Sequence, residues 1–423
     1  MLYWLGVAGF ALTILISVSL HEAGHMITAK RFGMKVTRYF VGFGPTIFSF
    51  RRGETEYGLK AIPLGGFCKI VGMTPQDDDV EPEDQPRAMW RFPVWKRTIV
   101  MSAGSITHFL LALAAAWVVA FTLGLPNTHF PTTNADEAKQ KAYVTVSDCT
   151  WITIPTTQQD CVPGQNGGIT GPAYAAGIRD GDLITNVGGT PIATYGDLTG
   201  AIRSLPAGKV DFEFVRDGVT KTVQVDLVTA NRAPLTDEDG SGPTSEVSVG
   251  ALGWDNVGVP GTIKYNAASA VPATFNYGWF IVENTFKSLG KIPSKVPALW
   301  HSLTGSERDP DTPISVVGAS RLGGEAIEHG VPELFLNIFI TLNIFIGIFN
   351  LLPLLPLDGG HIAIAWFERA RSWLYGRLRK PDPGRVDYYK LMPITYAVIL
   401  IGGAFTLLTV TADIVNPIQI FNR

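Results

Sequence analysis

The sequence predicts an α-helical polytopic membrane protein of about four spans, with a membrane-dipping β-hairpin and a small α+β domain on the extracytoplasmic side. Three observations carry this expectation. Charged residues make up 17% of the 423 residues, below the roughly 25% of soluble domains, and mean hydropathy is positive. Four stretches, 1–20, 98–128, 334–357 and 391–412, carry no Asp, Glu, Lys or Arg and are long enough to cross a bilayer. Two of the intervening segments show the short alternating runs and Gly turns of strands.

The first span, taken with its distal motif as 1–31, lacks a basic leader and a small-residue cleavage site. It runs straight into His21-Glu22-Ala23-Gly24-His25, so it reads as a retained span. On a helix, positions i and i+4 share a face, so His21 and His25 can direct two imidazoles at one metal ion. Glu22 then reaches a water bound to that ion. Ionisable groups at this depth are costly and mark a functional site.

Basic residues set the sidedness. The segment 32–97 has Lys30, Arg31, Lys35 and Arg38 in or just before its start and Arg91, Lys96 and Arg97 at its end. The segment 362–390 carries Arg369, Arg371, Arg377, Arg379, Lys380, Arg385 and Lys390. Both are expected in the cytoplasm, which places the middle segment and both termini outside. The net charge of −3 is divided between compartments and says little about partners. The lipid bilayer is the expected surroundings, and no nucleic-acid partner is expected.

Within 32–97, Phe40-Val41-Gly42-Phe43-Gly44-Pro45 precedes Ile47-Phe48-Ser49-Phe50, a turn at Arg52-Gly53-Glu54, and Tyr57-Gly58-Leu59-Lys60-Ala61-Ile62. Alternating apolar residues about a Gly turn read as a hairpin, which Pro63-Leu64-Gly65-Gly66-Phe67 then breaks. An apolar hairpin between two spans is expected to dip into the membrane, against protein or a wet cavity. An edge near 47–62 would suit an extended peptide added as a strand. Residues 74–88 are acidic and Pro-rich and read as a mobile cytoplasmic loop.

Past the second span, 98–128, a folded unit is expected over 143–230. Its core signal is Gly171-Pro172-Ala173-Tyr174-Ala175-Ala176-Gly177-Ile178-Arg179-Asp180-Gly181-Asp182. Strands follow at 187–191, 210–215 and 221–227, the last two joined by Asp217-Gly218. This order resembles a bacterial PDZ domain. Such domains bind chain ends by strand addition, and a purely steric role stays open beside that. Cys149 and Cys161 lie on the oxidising side and are expected to pair, whereas Cys68 faces the cytoplasm and stays reduced. Residues 231–330 are expected to form a linker, mainly 231–260, and a helix over 272–292 lying on the outer membrane surface.

The third span, 331–361 with its motif, ends Asn350-Leu351-Leu352-Pro353-Leu354-Leu355-Pro356-Leu357-Asp358-Gly359-Gly360-His361. Catalytic zinc takes three protein ligands and keeps one open position. Asp358 is the expected third ligand, because the Gly pair after it permits close approach; His361 is the alternative. Asn350 is placed to donate to a developing oxyanion. A fourth span, 391–412, keeps both motifs at the cytoplasmic face. His108 is expected to be packed or pore-facing, and His129, His301 and His329 solvated.

The two motifs together resemble the site-2 protease family of intramembrane zinc metalloproteases, in its bacterial single-PDZ form. The likeness extends to Gly42-Phe43-Gly44, Pro63-Leu64-Gly65-Gly66-Phe67 and Pro313-Ile314-Ser315-Val316-Val317-Gly318, and so covers essentially the whole chain. It implies zinc held by His21, His25 and Asp358, with Glu22 as acid/base and Asn350 assisting. It also implies a bacterial plasma-membrane location and single-pass substrates such as anti-sigma factors, cut first by another protease. The front of the outer domain, with Cys149 and Cys161, departs from a plain PDZ pattern. A membrane metal transporter or a catalytically inactive scaffold are the rival readings. A transporter would spread polar groups over several spans, and a scaffold has no use for Glu22.

Overall fold

The apolar N-terminus and the His-Glu motif fold as one uninterrupted helix, α1 (Leu2–Arg31), about 45 Å long at 1.5 Å per residue. Gly33, at φ +85°, ends it. The computed structural model describes residues 1–73, 80–130, 134–153, 161–165, 167–232, 247–257, 261–306 and 308–420. It divides into two units, Met1–Leu125 with Lys264–Arg423, and Pro126–Ile263.

The first unit is helical apart from a hairpin over 36–70. It comprises α1, α2 (Val94–Thr122), α3 (Ala270–Leu303), α4 (Val316–Glu328), α5 (Pro332–Asn350), α6 (Asp358–Arg377) and α7 (Met392–Val415). Among the described residues, four helices are long and apolar enough to cross a membrane: α1, α2, α5, and α7 with its leading turn from Tyr388. Glycines set the closest approaches. A Cβ on Gly24 would stand 2.8 Å from the Ala103 carbonyl of α2, and one on Gly6 would stand 2.8 Å from Gly324 of α4.

One segment expected as a loop is helical, and a further helix lies in a region to which no element was assigned. Over 362–390 the chain forms most of α6, tied to α2 by the buried Arg97–Glu368 pair at 3.4 Å. The third span is correspondingly shorter than 334–357: α5 ends at Asn350, because the prolines after it cannot continue the ladder. Pro313–Gly318 opens a helix of its own, α4, which Ser315 caps by accepting the N–H groups of Val317 and Gly318.

The amphipathic helix is longer than 272–292. In α3 the residues Ala270, Tyr277 and Ile281 are buried with Ala112 and Ala116 of α2 and Ile344 and Ile348 of α5. Its two ends sit beside the C-terminal ends of α2 and α7. The Tyr265 N–H donates to Ala120 O, and Asn416 Nδ2 donates to Ser302 O.

The hairpin is more folded than alternation alone suggests. β1 (Val36–Arg52) and β2 (Thr55–Ile70) pair twice: Tyr39 lies opposite both Cys68 and Tyr57, and Phe40 opposite both Phe67 and Gly58. Bends at Gly42, Gly44 and Gly65, all at φ above +80°, let each strand double back. Pairing stops after Ile62 and resumes at Gly66 and Phe67, opposite Val41 and Phe40, so the expected break is confined to the bend at 63–65. The Arg52–Glu54 turn is held down, since Arg87 donates two bonds of 2.7 Å to Glu54 and keeps its carboxyl below the ordinary range. What projects instead is the bend, with Phe43, Ile47, Phe48 and Ile62 exposed. Of the acidic loop, 74–79 lie outside the described residues.

In the second unit, an antiparallel sheet is ordered β7-β6-β5-β3-β4, with β3 Leu183–Val187, β4 Thr190–Pro191, β5 Gly208–Arg216, β6 Val219–Arg232 and β7 Val247–Ala251. The expected strand at 187–191 is instead a turn, because Gly188 and Gly189 both adopt positive φ. Asp217-Gly218 turns β5 into β6 as expected. The helix Tyr195–Ser204 starts in a reciprocal cap between Thr194 and Asp197 and buries Leu198 and Ile202 with Ile178, Ile184, Phe212, Phe214 and Val225. Asp182 is buried but paired with Arg216 at 2.6 Å. The expected linker is partly sheet: β7 pairs with β6, and Trp254–Val257 pairs with Val144–Val146, so the unit exceeds 143–230 at both ends. The linker positions 233–246 and 258–260 lie outside the described residues.

Cys149 and Cys161 are joined by a disulfide, with Cα atoms 5.7 Å apart. The enclosed positions 154–160 lie outside the described residues. Both cysteines are expected to resist thiol reagents until reduction, while Cys68 labels to the same extent with or without reductant. Peptide mapping under non-reducing conditions checks this, and two free outer thiols would overturn it.

Candidate metal centre

His21 and His25 lie one turn apart on α1, and both are buried. The His25 Nδ1–H donates to the Val100 carbonyl of α2 at 2.7 Å, which leaves the Nε2 lone pair free. Helix α2 can come so near because position 104 is glycine. A Cβ there would stand 2.4 Å from the His21 ring and 2.5 Å from His25 Nε2.

Asp358 arrives from more than 300 residues away, so its delivery depends on a tight fold-back after α5. The turn 351–357 closes on its own backbone: Leu352 N–H donates to Phe349 O, Leu354 N–H to Leu352 O, and Leu357 N–H to Leu354 O. It then lies directly on the first turn of α6. A Cβ on Gly359 would stand 2.2 Å from Leu351 O, and one on Gly360 would stand 2.6 Å from the Leu354 carbonyl carbon. No other residue type fits either place.

Asp358 Oδ2 thereby stands 3.4 Å from His21 Nε2 and 3.2 Å from His25 Nε2, and the two Nε2 atoms are 3.1 Å apart. Tetrahedral ligands on bonds of about 2.0–2.1 Å lie about 3.3 Å from one another, so this triangle matches the face of a zinc tetrahedron. Asp358 Oδ2 is buried and takes no hydrogen bond. Converging electron-rich atoms in a desolvated place are balanced by a cation. The nitrogen–nitrogen–oxygen donor set suits zinc.

The other expected site residues fall into distinct places. Glu22 is half-buried and turned toward β2, where Gly66 lacks the Cβ that would stand 3.4 Å from Glu22 Cγ and the Cys68 N–H faces its carboxylate. The hairpin segment beside Glu22 is thus 66–68, not the expected edge at 47–62. Asn350 is the last residue of α5 and half-buried; among the described residues no hydrogen bond ties its side chain to the cluster. His361 turns away from it and stacks on Tyr388 at 5.9 Å. His108 is packed, as expected, and its ring lies 5.0 Å from that of His21. His129, His301 and His329 are exposed. Sequence reasoning missed Gly104 and Val100. Their only signal was a small residue in a span, one turn before His108.

A model of peptidase family M50 matches residues 9–379. The chain is 44% identical over its whole length, and over the whole of the other, to a protein named zinc metalloprotease Rip1 from Mycolicibacterium smegmatis. It is 42% identical, again over both full lengths, to the protein of that name from Mycobacterium tuberculosis. A more distant relative is metalloprotease MmpA from Caulobacter vibrioides, 26% identical over 85% of each chain.

Three substitutions separate the cluster from its neighbours. Asp358→Ala should strip most of the bound metal from purified protein, whereas His361→Ala should leave it close to stoichiometric. Gly104→Val should lose metal as severely as Asp358→Ala although it replaces no ligand, because its side chain would collide with both rings. Elemental analysis reads all three, and full metal content in Asp358→Ala would sink the assignment.

Proposed function

The chain belongs to peptidase family M50, and from that premise we propose that this zinc metalloprotease holds its ion with His21, His25 and Asp358 and cuts peptide bonds within transmembrane segments. The observation that carries the proposal is the ligand triangle of 3.1–3.4 Å among α1 and α6, in a multi-pass membrane protein. The substrates are single-pass proteins, anti-sigma factors among them, previously trimmed by another protease in regulated intramembrane proteolysis. The protein sits in the bacterial plasma membrane. The basic residues of 32–97 and 362–390 support a site near the cytoplasmic face, and the Cys149–Cys161 disulfide supports an outer location for the second unit.

When bound, zinc supplies a Lewis acid and a water ionised near neutral pH. Glu22 takes the proton of the attacking water on its carboxylate and returns it to the leaving amide nitrogen. Its half-buried place beside the hairpin keeps it at the site without competing for the ion. Val100 holds His25 in the tautomer that presents Nε2. Asn350 stabilises the oxygen of the scissile carbonyl, from its position at the end of α5.

A helical substrate carbonyl is hydrogen-bonded and shielded, so it must be drawn out before attack. The doubled hairpin suits that task. Its exposed Phe43, Ile47 and Phe48 favour lipid, and its 66–68 edge runs past Glu22. The second unit, with its PDZ-like order of small helix, Gly-Asp turn and sheet, acts on access rather than chemistry.

Glu22→Gln should retain stoichiometric zinc and lose roughly 100- to 10,000-fold in proteolysis of a co-expressed single-pass substrate. Near-normal turnover would mean that another group moves the proton. The second unit can be removed at its neck, where the Asn127 N–H donates to Gly261 O at 2.8 Å. Replacing 127–261 by a short linker should preserve cleavage of trimmed substrates and admit some full-length ones. If a zinc-loaded variant of this kind cannot cut the trimmed form, the domain docks substrate instead of excluding it.

A further inference from the structure

One turn deeper than the ligand cluster lies a second polar layer that the chemistry above does not use. Ser17 of α1, His108 of α2 and Asn343 of α5 are each at most 2% exposed, in an otherwise apolar interior. Asn343 Nδ2 donates to Phe339 O at 2.9 Å, which fixes its amide so that Oδ1 faces the other two side chains. The Ser17 hydroxyl donates to that Oδ1. His108 Nδ1 lies 2.8 Å from it, and an amide oxygen only accepts, so Nδ1 carries the proton. In the neutral ring, Nε2 is then an acceptor.

The neighbouring His21 has the opposite need. Its Nε2 faces Asp358 and His25, so as a ligand it carries its proton on Nδ1. That Nδ1 is buried and has no hydrogen-bond partner. Metal-bound histidines almost always donate the second ring N–H, and His25 does so to Val100. The ring nearest to His21 on the inner side is that of His108, 5.0 Å away and tilted by 43°.

We propose that His108, held by Asn343 and Ser17, is the positioning residue for His21. Its Nε2 accepts the His21 Nδ1–H, directly or through one water, when metal is bound. The chain Phe339 carbonyl, Asn343, His108, His21 then runs in one hydrogen-bonding direction, and each member fixes the tautomer of the next. This rests on the reading of His21 as a ligand.

The test uses full-length protein in detergent, with zinc affinity measured by chelator competition and the visible spectrum of the cobalt(II)-loaded site. His108→Phe keeps the ring volume and removes both nitrogens; it should weaken zinc binding about 10- to 100-fold and shift the cobalt bands. His108→Asn restores one donor for Asn343 and one acceptor for His21, so it should recover most of the affinity and the original spectrum. Asn343→Leu should behave like His108→Phe. Should His108→Phe fail to fold, the comparison of His108→Asn with Asn343→Leu carries the test. Wild-type affinity and spectrum in His108→Phe, or in Asn343→Leu, overturn the proposal, as does an Asn variant no better than Phe. His21→Ala keeps the two readings apart. If it binds zinc normally, the ligand assignment fails; if it loses zinc while the variants at 108 and 343 do not, only the role of His108 fails.

Discussion

The proposed metal centre needs three ligand atoms held within 3.4 Å of one another inside an apolar helix bundle, and that demand accounts for the close helix contacts around it. Imidazoles and a carboxylate so placed lose their hydration and repel one another until a cation arrives. They stay together because the backbones carrying them leave no alternative. Gly24 lets α2 seat against α1, Gly104 makes room for the two rings, and Gly359 and Gly360 let the turn 351–357 lie on α6. Each glycine gives up helix propensity of about 1 kcal/mol relative to Ala, in return for a contact no side chain permits.

Buried charges elsewhere in the bundle are held in pairs, as an apolar medium demands. Asp413 near the end of α7 is 1% exposed and meets Arg308 at 2.7 Å. It also accepts the Ser315 N–H at the cap of α4. Arg308 donates further to the Pro313 and Asn416 carbonyls. This cluster locks the start of α4 to the end of α7, and removing one partner of such a pair costs about 3–5 kcal/mol. Ser105 Oγ and Thr274 Oγ1 are also buried without a partner, so the unpartnered Nδ1 of His21 marks the site only together with the ligand triangle.

Much of this was legible in the sequence, because both motifs are local. The i, i+4 spacing of His21 and His25 fixes a shared face, and the Gly pair after Asp358 permits only a close fold-back. The four spans were readable from charge-free length. What escaped is what depends on tertiary partners. Helix α6 was read as a loop because its charges mask any periodic signal, and α4 was assigned no element because its glycines speak against helix until α1 is there to pack on them. The double pairing of β1 with β2 needs three positive-φ glycines acting together, and alternation alone cannot report that. Gly104 and Val100 act through backbone, so no side-chain chemistry advertised them.

The central claim is that one zinc ion joins α1 to the start of α6 through two imidazoles and one carboxylate. X-ray absorption at the zinc edge of the purified full-length protein tests it most directly. The expected spectrum contains two imidazole nitrogens and one or two oxygens at about 2.0–2.2 Å, and His21→Ala should reduce the imidazole scattering to a single ring. A sulfur shell at about 2.3 Å, or two imidazoles persisting in His21→Ala, would contradict the account.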